Sequence, residues 1–188
     1  KNKYITFGSF NNFRKINNDV IDVWSSILKK INNAKLILKA SDVASITKIS
    51  KEFEKKGVLN MVEFKLHSKN LEDHLNEYKN IDLALDTFPY NGVTTSFEAI
   101  WMGVPVLTMK GFNFNSRCGE SINKNLDLEE LIAVNEKDYV EKAISLTVND
   151  KILNLRKFVF GNCLKSPLFD KNKFSKQFFS SLEKIYKK

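Results

Sequence analysis

One lysine, a Gly-Val-Thr-Thr turn and a glutamate a few residues further on are the side chains of this sequence best placed to act on an anionic, hydroxyl-bearing ligand. Residues 82–109 read DLALDTFPYNGVTTSFEAIWMGVPVLTM. Ile81, Leu83, Ala84 and Leu85 form an apolar, strand-like run that stops at Asp86-Thr87, and Pro89, Asn91 and Gly92 make a turn. A helix is then expected from Thr94 or Thr95 to Met102, stopped by Gly103 and Pro105 ahead of a second strand, Val106–Met109. In a parallel β-loop-α-β unit the loop and the helix N-terminus lie at the carboxyl ends of the strands, where open α/β sheets bind ligands. Gly92, Thr94 and Thr95 would offer unpaired backbone N–H groups, two hydroxyls and the positive end of a helix dipole, which suit a phosphate. Glu98 follows one turn after Thr94 on the same face, where a carboxylate can accept hydrogen bonds from neighbouring sugar hydroxyls. Thr95 and Glu98 also have the spacing of an ordinary capping box, and on spacing alone the cap is favoured. Lys15 lies in the loop SFNNFRK, again at a strand's carboxyl end, and by composition is one surface lysine among many.

Other chemistries are disfavoured. Asp86 ends its strand as a receiver-domain phosphoacceptor would, but the loop after strand one reads NNFRK and lacks the partner acid pair. No GxGxxG follows a strand, which argues against a nicotinamide dehydrogenase. No Asp-x-Asp pair is present, and Cys118 and Cys163 stand far apart without a CxxC or a His/Cys cluster, so neither a metal site nor a disulfide framework is indicated.

The elements that must position these residues follow from periodicity. Residues 3–10 read as strand one and residues 11–15 as its loop. A helix over 19–31 places Val20, Val23, Trp24, Ile27, Leu28 and Ile31 on one face. Strand two spans 35–39, and Ser41-Asp42 caps a helix that ends near Gly57. Strand three spans 60–65, a short helix covers 71–78, and the unit described above follows. Beyond Met109 the pattern predicts a helix over 116–123, a last short strand in LEELIAV, and helices over 136–146, 151–163 and 173–186. In the last of these Phe174, Phe178, Leu182 and Ile185 form a stripe flanked by Phe179 and Tyr186, and core is the favoured reading of so aromatic a face. The fold class is α/β, a Rossmann-like parallel sheet with helices on both faces. Residues 1–188 read as one domain, with 136–188 a helical C-terminal extension. A chain that begins at Lys1 and enters a strand at once reads as a fragment of a longer protein.

The 188 residues carry a net charge of +8. Lysines are scattered over the whole length among asparagines and isoleucines, without a dense basic tract, so nucleic acid is not the expected partner, although the charge would attract an anionic nucleotide. There is neither a run long and apolar enough for a membrane span nor a signal-peptide layout, and a cytoplasmic setting is the expectation.

Five stretches in order carry a resemblance: FGSFNNFRKI at 7–16, LDTFPYNGVTTSFEAIWMGVPVLT at 85–108, SRCGES at 116–121, LIA at 131–133 and SPLFD at 166–170. Together they resemble the C-terminal catalytic lobe of the O-linked N-acetylglucosamine transferases, the glycosyltransferase family 41 or SPINDLY-type enzymes. The resemblance implies one lobe of a two-Rossmann-domain (GT-B type) glycosyltransferase that binds UDP-N-acetylglucosamine and modifies protein Ser or Thr. It implies metal-independent transfer without a cofactor, and as partners an N-terminal lobe, tetratricopeptide repeats and an acceptor protein. By the same resemblance Lys15 is the catalytic cation that stabilises the departing UDP, a role with a physical basis because the leaving group gains charge in the transition state. Asn12 matches a phosphate-facing position that is Gln in animal enzymes. His74 matches a histidine that lies against the uridine, its alternative being a partly exposed structural residue, and His67 falls in the loop that reads uracil. Thr94, Thr95 and Glu98 match the phosphate-binding and ribose-binding positions, with Glu for the animal Asp. Val93 departs from the family's His or Gly, which puts in doubt a side-chain contact and a positive φ there. Arg117 is either near the sugar or structural. Without its partner lobe this chain is expected to be inactive, and because the C-terminal helix of such two-lobed enzymes crosses back to the other lobe, the resemblance implies that part of the aromatic stripe over 173–186 is exposed here. The open alternatives are a non-catalytic nucleotide-binding or protein-interaction module, and a SPINDLY-like enzyme that uses GDP-fucose.

Overall fold

In the computed structural model, which describes residues 4–187, six parallel strands form one sheet in the order β3-β2-β1-β4-β5-β6. The strands are β1 (Ile5–Ser9), β2 (Ala34–Ala40), β3 (Val62–Leu66), β4 (Leu83–Leu85), β5 (Val106–Met109) and β6 (Ile132–Ala133). Between and after them lie α1 (Asn18–Lys30), α2 (Val43–Lys55), α3 (Leu71–Asn76), α4 (Thr94–Trp101), α5 (Cys118–Lys124), α6 (Glu136–Leu146), α7 (Lys151–Asn162) and α8 (Lys171–Tyr186). From β1 the chain winds outward through β2 to β3, then returns to β4 on the other side of β1 and winds the opposite way. Right-handed crossovers in opposite directions put their helices on opposite faces of the sheet. Accordingly α1 packs against α2 and α6, while α4 packs against α5 and α7. This is the predicted Rossmann-like arrangement.

Local sequence accounts for most boundaries. Asn17, Asp42, Asn70, Asn135 and Asp170 each cap a helix, their side-chain oxygens accepting a backbone N–H of the first turn, a contribution of about 1 kcal/mol per cap. The apolar face of α1 buries Val20, Val23, Trp24, Ile27 and Leu28 together with Phe7, Leu36 and Leu38 of the adjoining strands. The β4 strand is buried throughout, as expected for a strand covered on both faces.

Several expectations need correction. Strand one begins at Ile5, and the predicted start at Lys3 lies outside the described residues. The helix expected over 71–78 ends at Asn76, and residues 77–80 tighten into a 3-10 turn that buries Tyr78. Ile81 precedes β4 instead of belonging to it, although it is core. LEELIAV divides into a 3-10 turn over 129–131 and the two-residue β6. The aromatic stripe of α8 is not the core face its periodicity favoured but exposed, as the resemblance to one lobe of a two-lobed enzyme implied: no residue of that helix is buried, and Phe174 is 67% and Ile185 71% exposed. Periodicity identifies an apolar face but not what covers it.

Candidate functional site

The point at which the strand order reverses lies between β1 and β4, and the loops leaving their carboxyl ends stand side by side there. That is where an open parallel sheet leaves a crevice. The first loop supplies Asn11, Asn12 and Lys15, and the second supplies Asp86 to Gly92 and the start of α4.

Asp86 organises the crevice. Its carboxylate is buried and accepts four hydrogen bonds: from the Gly92 N–H at 2.6 Å, the Thr87 N–H at 2.9 Å and the Asn11 amide at 3.3 Å on Oδ1, and from the Thr108 hydroxyl at 2.7 Å on Oδ2. The four donors favour the charged form, yet burial outweighs them and pushes its pKa up to about 6. Gly92 therefore gives its N–H to Asp86, which corrects the expectation that this amide is unpaired. A Cβ at Gly92 would fall 2.7 Å from Thr95 Oγ1 and 2.8 Å from Asn11 Oδ1, so the close approach of the two loops requires glycine. Gly119 serves the other side of Asp86: a Cβ there would collide with the Thr108 side chain and lie 2.9 Å from Asp86 Oδ2. Replacing Gly119 with Ala should lower stability by about 1–3 kcal/mol through overpacking, measurable by chemical denaturation.

The capping box favoured on spacing is not formed. The N-cap of α4 is Val93, and no side chain caps the helix. Its first N–H groups, at Thr94 and Thr95, have no acceptor within the helix, and no side-chain oxygen caps them. Val93 has φ −122°, a conformation open to a β-branched residue, and its side chain is exposed. Thr94 is exposed, whereas the Thr95 hydroxyl donates to Asn11 Oδ1 at 2.7 Å. Glu98 reaches away from the cap and into a cluster with α3: the His74 ring meets its Oε2 at 3.0 Å through Nε2, and the Tyr78 hydroxyl donates to the same oxygen at 3.2 Å. Burial, reinforced by the Glu98 charge, raises the Tyr78 pKa well above its ordinary value.

Lys15 closes the crevice from the first loop. Its ammonium donates to the Asn91 carbonyl at 2.8 Å and lies 4.3 Å from the centre of the Tyr90 ring. Burial lowers its pKa, opposed by the charges of Asp86 and Cys118, and an arriving phosphate would oppose it further. Burial, then the Asp86 charge, raises the Cys118 thiol.

The remaining candidates are less convergent. Asn12 is exposed and uses its oxygen to accept the Arg14 N–H, capping the 3-10 turn over Phe13–Lys15. It lines a cavity of about 430 Å³ on the β2 side, with Arg14, Asp42 and Lys48. His67 is exposed at the end of β3 and its N–H donates to the Ala40 carbonyl. Arg117 pairs with Glu120 at 2.8 Å, and this hydrogen bond, with a second from Lys124, holds the Glu120 carboxyl down to about 2. Among the described residues no three His, Cys, Asp or Glu side chains are grouped to hold a metal, and no helix is long and apolar enough to cross a membrane.

Residues 1–178 match the sequence model of glycosyl transferase family 41. The chain belongs to that family. Among family 41 relatives, it is 35% identical over 197 residues to a probable UDP-N-acetylglucosamine–peptide N-acetylglucosaminyltransferase SPINDLY of Solanum lycopersicum, covering 99% of this chain and 20% of the relative. It is 29% identical over 187 residues to a UDP-N-acetylglucosamine–peptide N-acetylglucosaminyltransferase of Caenorhabditis elegans, covering 98% and 16%. The chain thus spans about a fifth of the length of the curated relatives it matches, and it aligns with their C-terminal part. The structure superposes on an O-GlcNAc transferase of Thermobaculum terrenum with a TM-score of 0.86 and 32% identity, over 98% of this chain and 36% of that one. The glycosyltransferase WaaG shares the fold, with a TM-score of 0.69 at 18% identity over 93% and 46% of the two chains. These neighbours are GT-B glycosyltransferases.

Proposed function

We propose that this chain is the nucleotide-sugar-binding lobe of a protein O-glycosyltransferase, and that the complete protein transfers N-acetylglucosamine from UDP-N-acetylglucosamine to Ser or Thr of an acceptor. The observation that carries this reading is the arrangement at the switch point of the sheet: Lys15 sits on the Asn91 carbonyl of the turn that leads into α4, no side chain caps that helix, and Glu98 follows one turn further along it. A helix N-terminus and an ammonium match a diphosphate, and a carboxylate beside them matches the vicinal hydroxyls of a ribose. Family membership supports the reading, as do the names of the relatives. Thr94 and Thr95 would bind the phosphates through their N–H groups, while His74 and His67 would lie on the base side. Gly92 would act by letting the loops approach, and Asn12 by holding the turn that carries Lys15. In this reading the N-terminal lobe and the repeats belong to the rest of the protein, and the acceptor is a separate protein substrate.

Calorimetric titration with UDP and with GDP tests this. UDP should bind, and Glu98→Ala should weaken it by about tenfold or more, the worth of a hydrogen bond to a charged group. Saturation at about a hundred times the dissociation constant should add roughly 2.7 kcal/mol of stability. Preference for GDP would move the donor to GDP-fucose. Binding of neither, with the partner lobe present, would overturn the reading in favour of an interaction module.

A further inference from the structure

Lys39, near the end of β2, is 1% exposed and one of the largest fully buried side chains. Its ammonium meets Ser68 Oγ at 2.6 Å, His74 Nδ1 at 2.8 Å and Glu77 Oε1 at 3.2 Å, and lies 5.4 Å from the centre of the Phe10 ring. All three of its protons are thereby spent. Burying a charged pair costs several kcal/mol per ion before attraction repays it, and an apolar pair of the same volume is often at least as stable. Core packing alone gives no reason for a charge here. The connection onward does.

An ammonium only donates, so His74 Nδ1 must present its lone pair to Lys39. The ring proton then sits on Nε2, which faces Glu98 Oε2 at 3.0 Å. The ring is held between Phe10, centroids 6.0 Å apart, and Tyr78, 5.7 Å and edge-on, so it has little freedom to turn. The donors from His74 and Tyr78 both land on Oε2, which leaves Glu98 Oε1 for a ligand. We infer that Lys39 is a positioning residue of the nucleotide site: it selects the Nε2–H form of His74, and through it aims the Glu98 carboxylate into the crevice. This rests on the reading of that crevice as the donor site.

The chain has only two histidines, so ¹⁵N-histidine NMR resolves the state of each ring, with exposed His67 as an internal reference. In the parent chain His74 should be the Nε2–H tautomer, its Nδ1 unprotonated. In the double variant Lys39→Met/Glu77→Gln, which strands no charge, His74 should lose that preference while the His67 signals stay in place. UDP or GDP affinity should fall about tenfold with thermal stability retained, the change expected from loosening one charged hydrogen bond. An Nδ1–H ring in the parent chain overturns the inference without any variant. So does a double variant in which the His74 signals, or the nucleotide affinity, remain those of the parent. If the parent binds neither nucleotide even with its partner lobe present, the donor-site reading fails and with it the role of Lys39 in binding, while the His74 tautomer still decides whether the relay exists.

Discussion

Replacing Lys15 with methionine in the full-length protein should lower kcat by about 10²–10³-fold, the usual cost of removing one fixed group that stabilises developing charge. The ammonium is the cation that the first loop brings to the mouth of α4, and its ties to the fold are one hydrogen bond to the Asn91 carbonyl and the Tyr90 ring. Charge on the diphosphate grows as the glycosidic bond breaks, so a cation held there stabilises the transition state more than the bound donor. The loss should therefore fall on kcat more than on KM. One hydrogen bond at a half-buried site contributes about 1 kcal/mol to stability, so the melting temperature should change little. A variant with parental kcat would remove Lys15 from the mechanism.

Replacing Asp86 with alanine should act on the fold first. The Thr108 hydroxyl and the Asn11 amide can rotate to other partners, but the Gly92 and Thr87 N–H groups are fixed in buried backbone. At roughly 1–3 kcal/mol for each stranded donor, about 3 kcal/mol or more should be lost, which in a chain of this size lowers Tm by roughly 6–12 °C. Nucleotide binding should fall as well, because the turn leading into α4 hangs on this carboxylate. Asp86 also imposes a pH dependence. Its folded pKa of about 6 stands above the ordinary 3.8, so the folded chain binds this proton more tightly than the unfolded chain. The stabilisation is fully present below the ordinary value and is lost as pH rises through about 6. Between about pH 7.5 and 5 this residue should make the protein more stable as acid is added, and Asp86→Asn, which does not ionise, should lack that component. Denaturant midpoints measured across this range would show it, and parallel profiles for the two proteins would refute it.

The crevice was legible in the sequence where its features are local. A lysine in the loop after one strand, and a Gly-Val-Thr-Thr turn in the loop after another, must both lie at the carboxyl edge of a parallel sheet, because crossover connections allow no other place. The part misread depends on distant partners. Thr95 and Glu98 have the spacing of a capping box, yet the Thr95 hydroxyl goes to Asn11, 84 positions away, and Glu98 turns to His74 and Tyr78. Spacing cannot register competitors brought in by another part of the chain. Asp86 was set aside because one chemistry failed for it. An acid that closes an apolar strand ahead of a Thr and a glycine turn was the available signal that it collects backbone donors.

The sequence by itself determined the alternation of strands and helices, the Asp42 cap of α2 and the sheet edge on which the chemistry-bearing residues stand, since periods of 2 and 3.6 residues, an Asp cap and glycine punctuation act over a few residues. Only the tertiary structure decided that Asp86 is the hub, that Lys39, His74 and Glu98 form one chain of hydrogen bonds, and that the aromatic face of α8 lies open. Those outcomes turn on which groups meet across tens of positions and on which surfaces find a cover, and no local pattern carries that information.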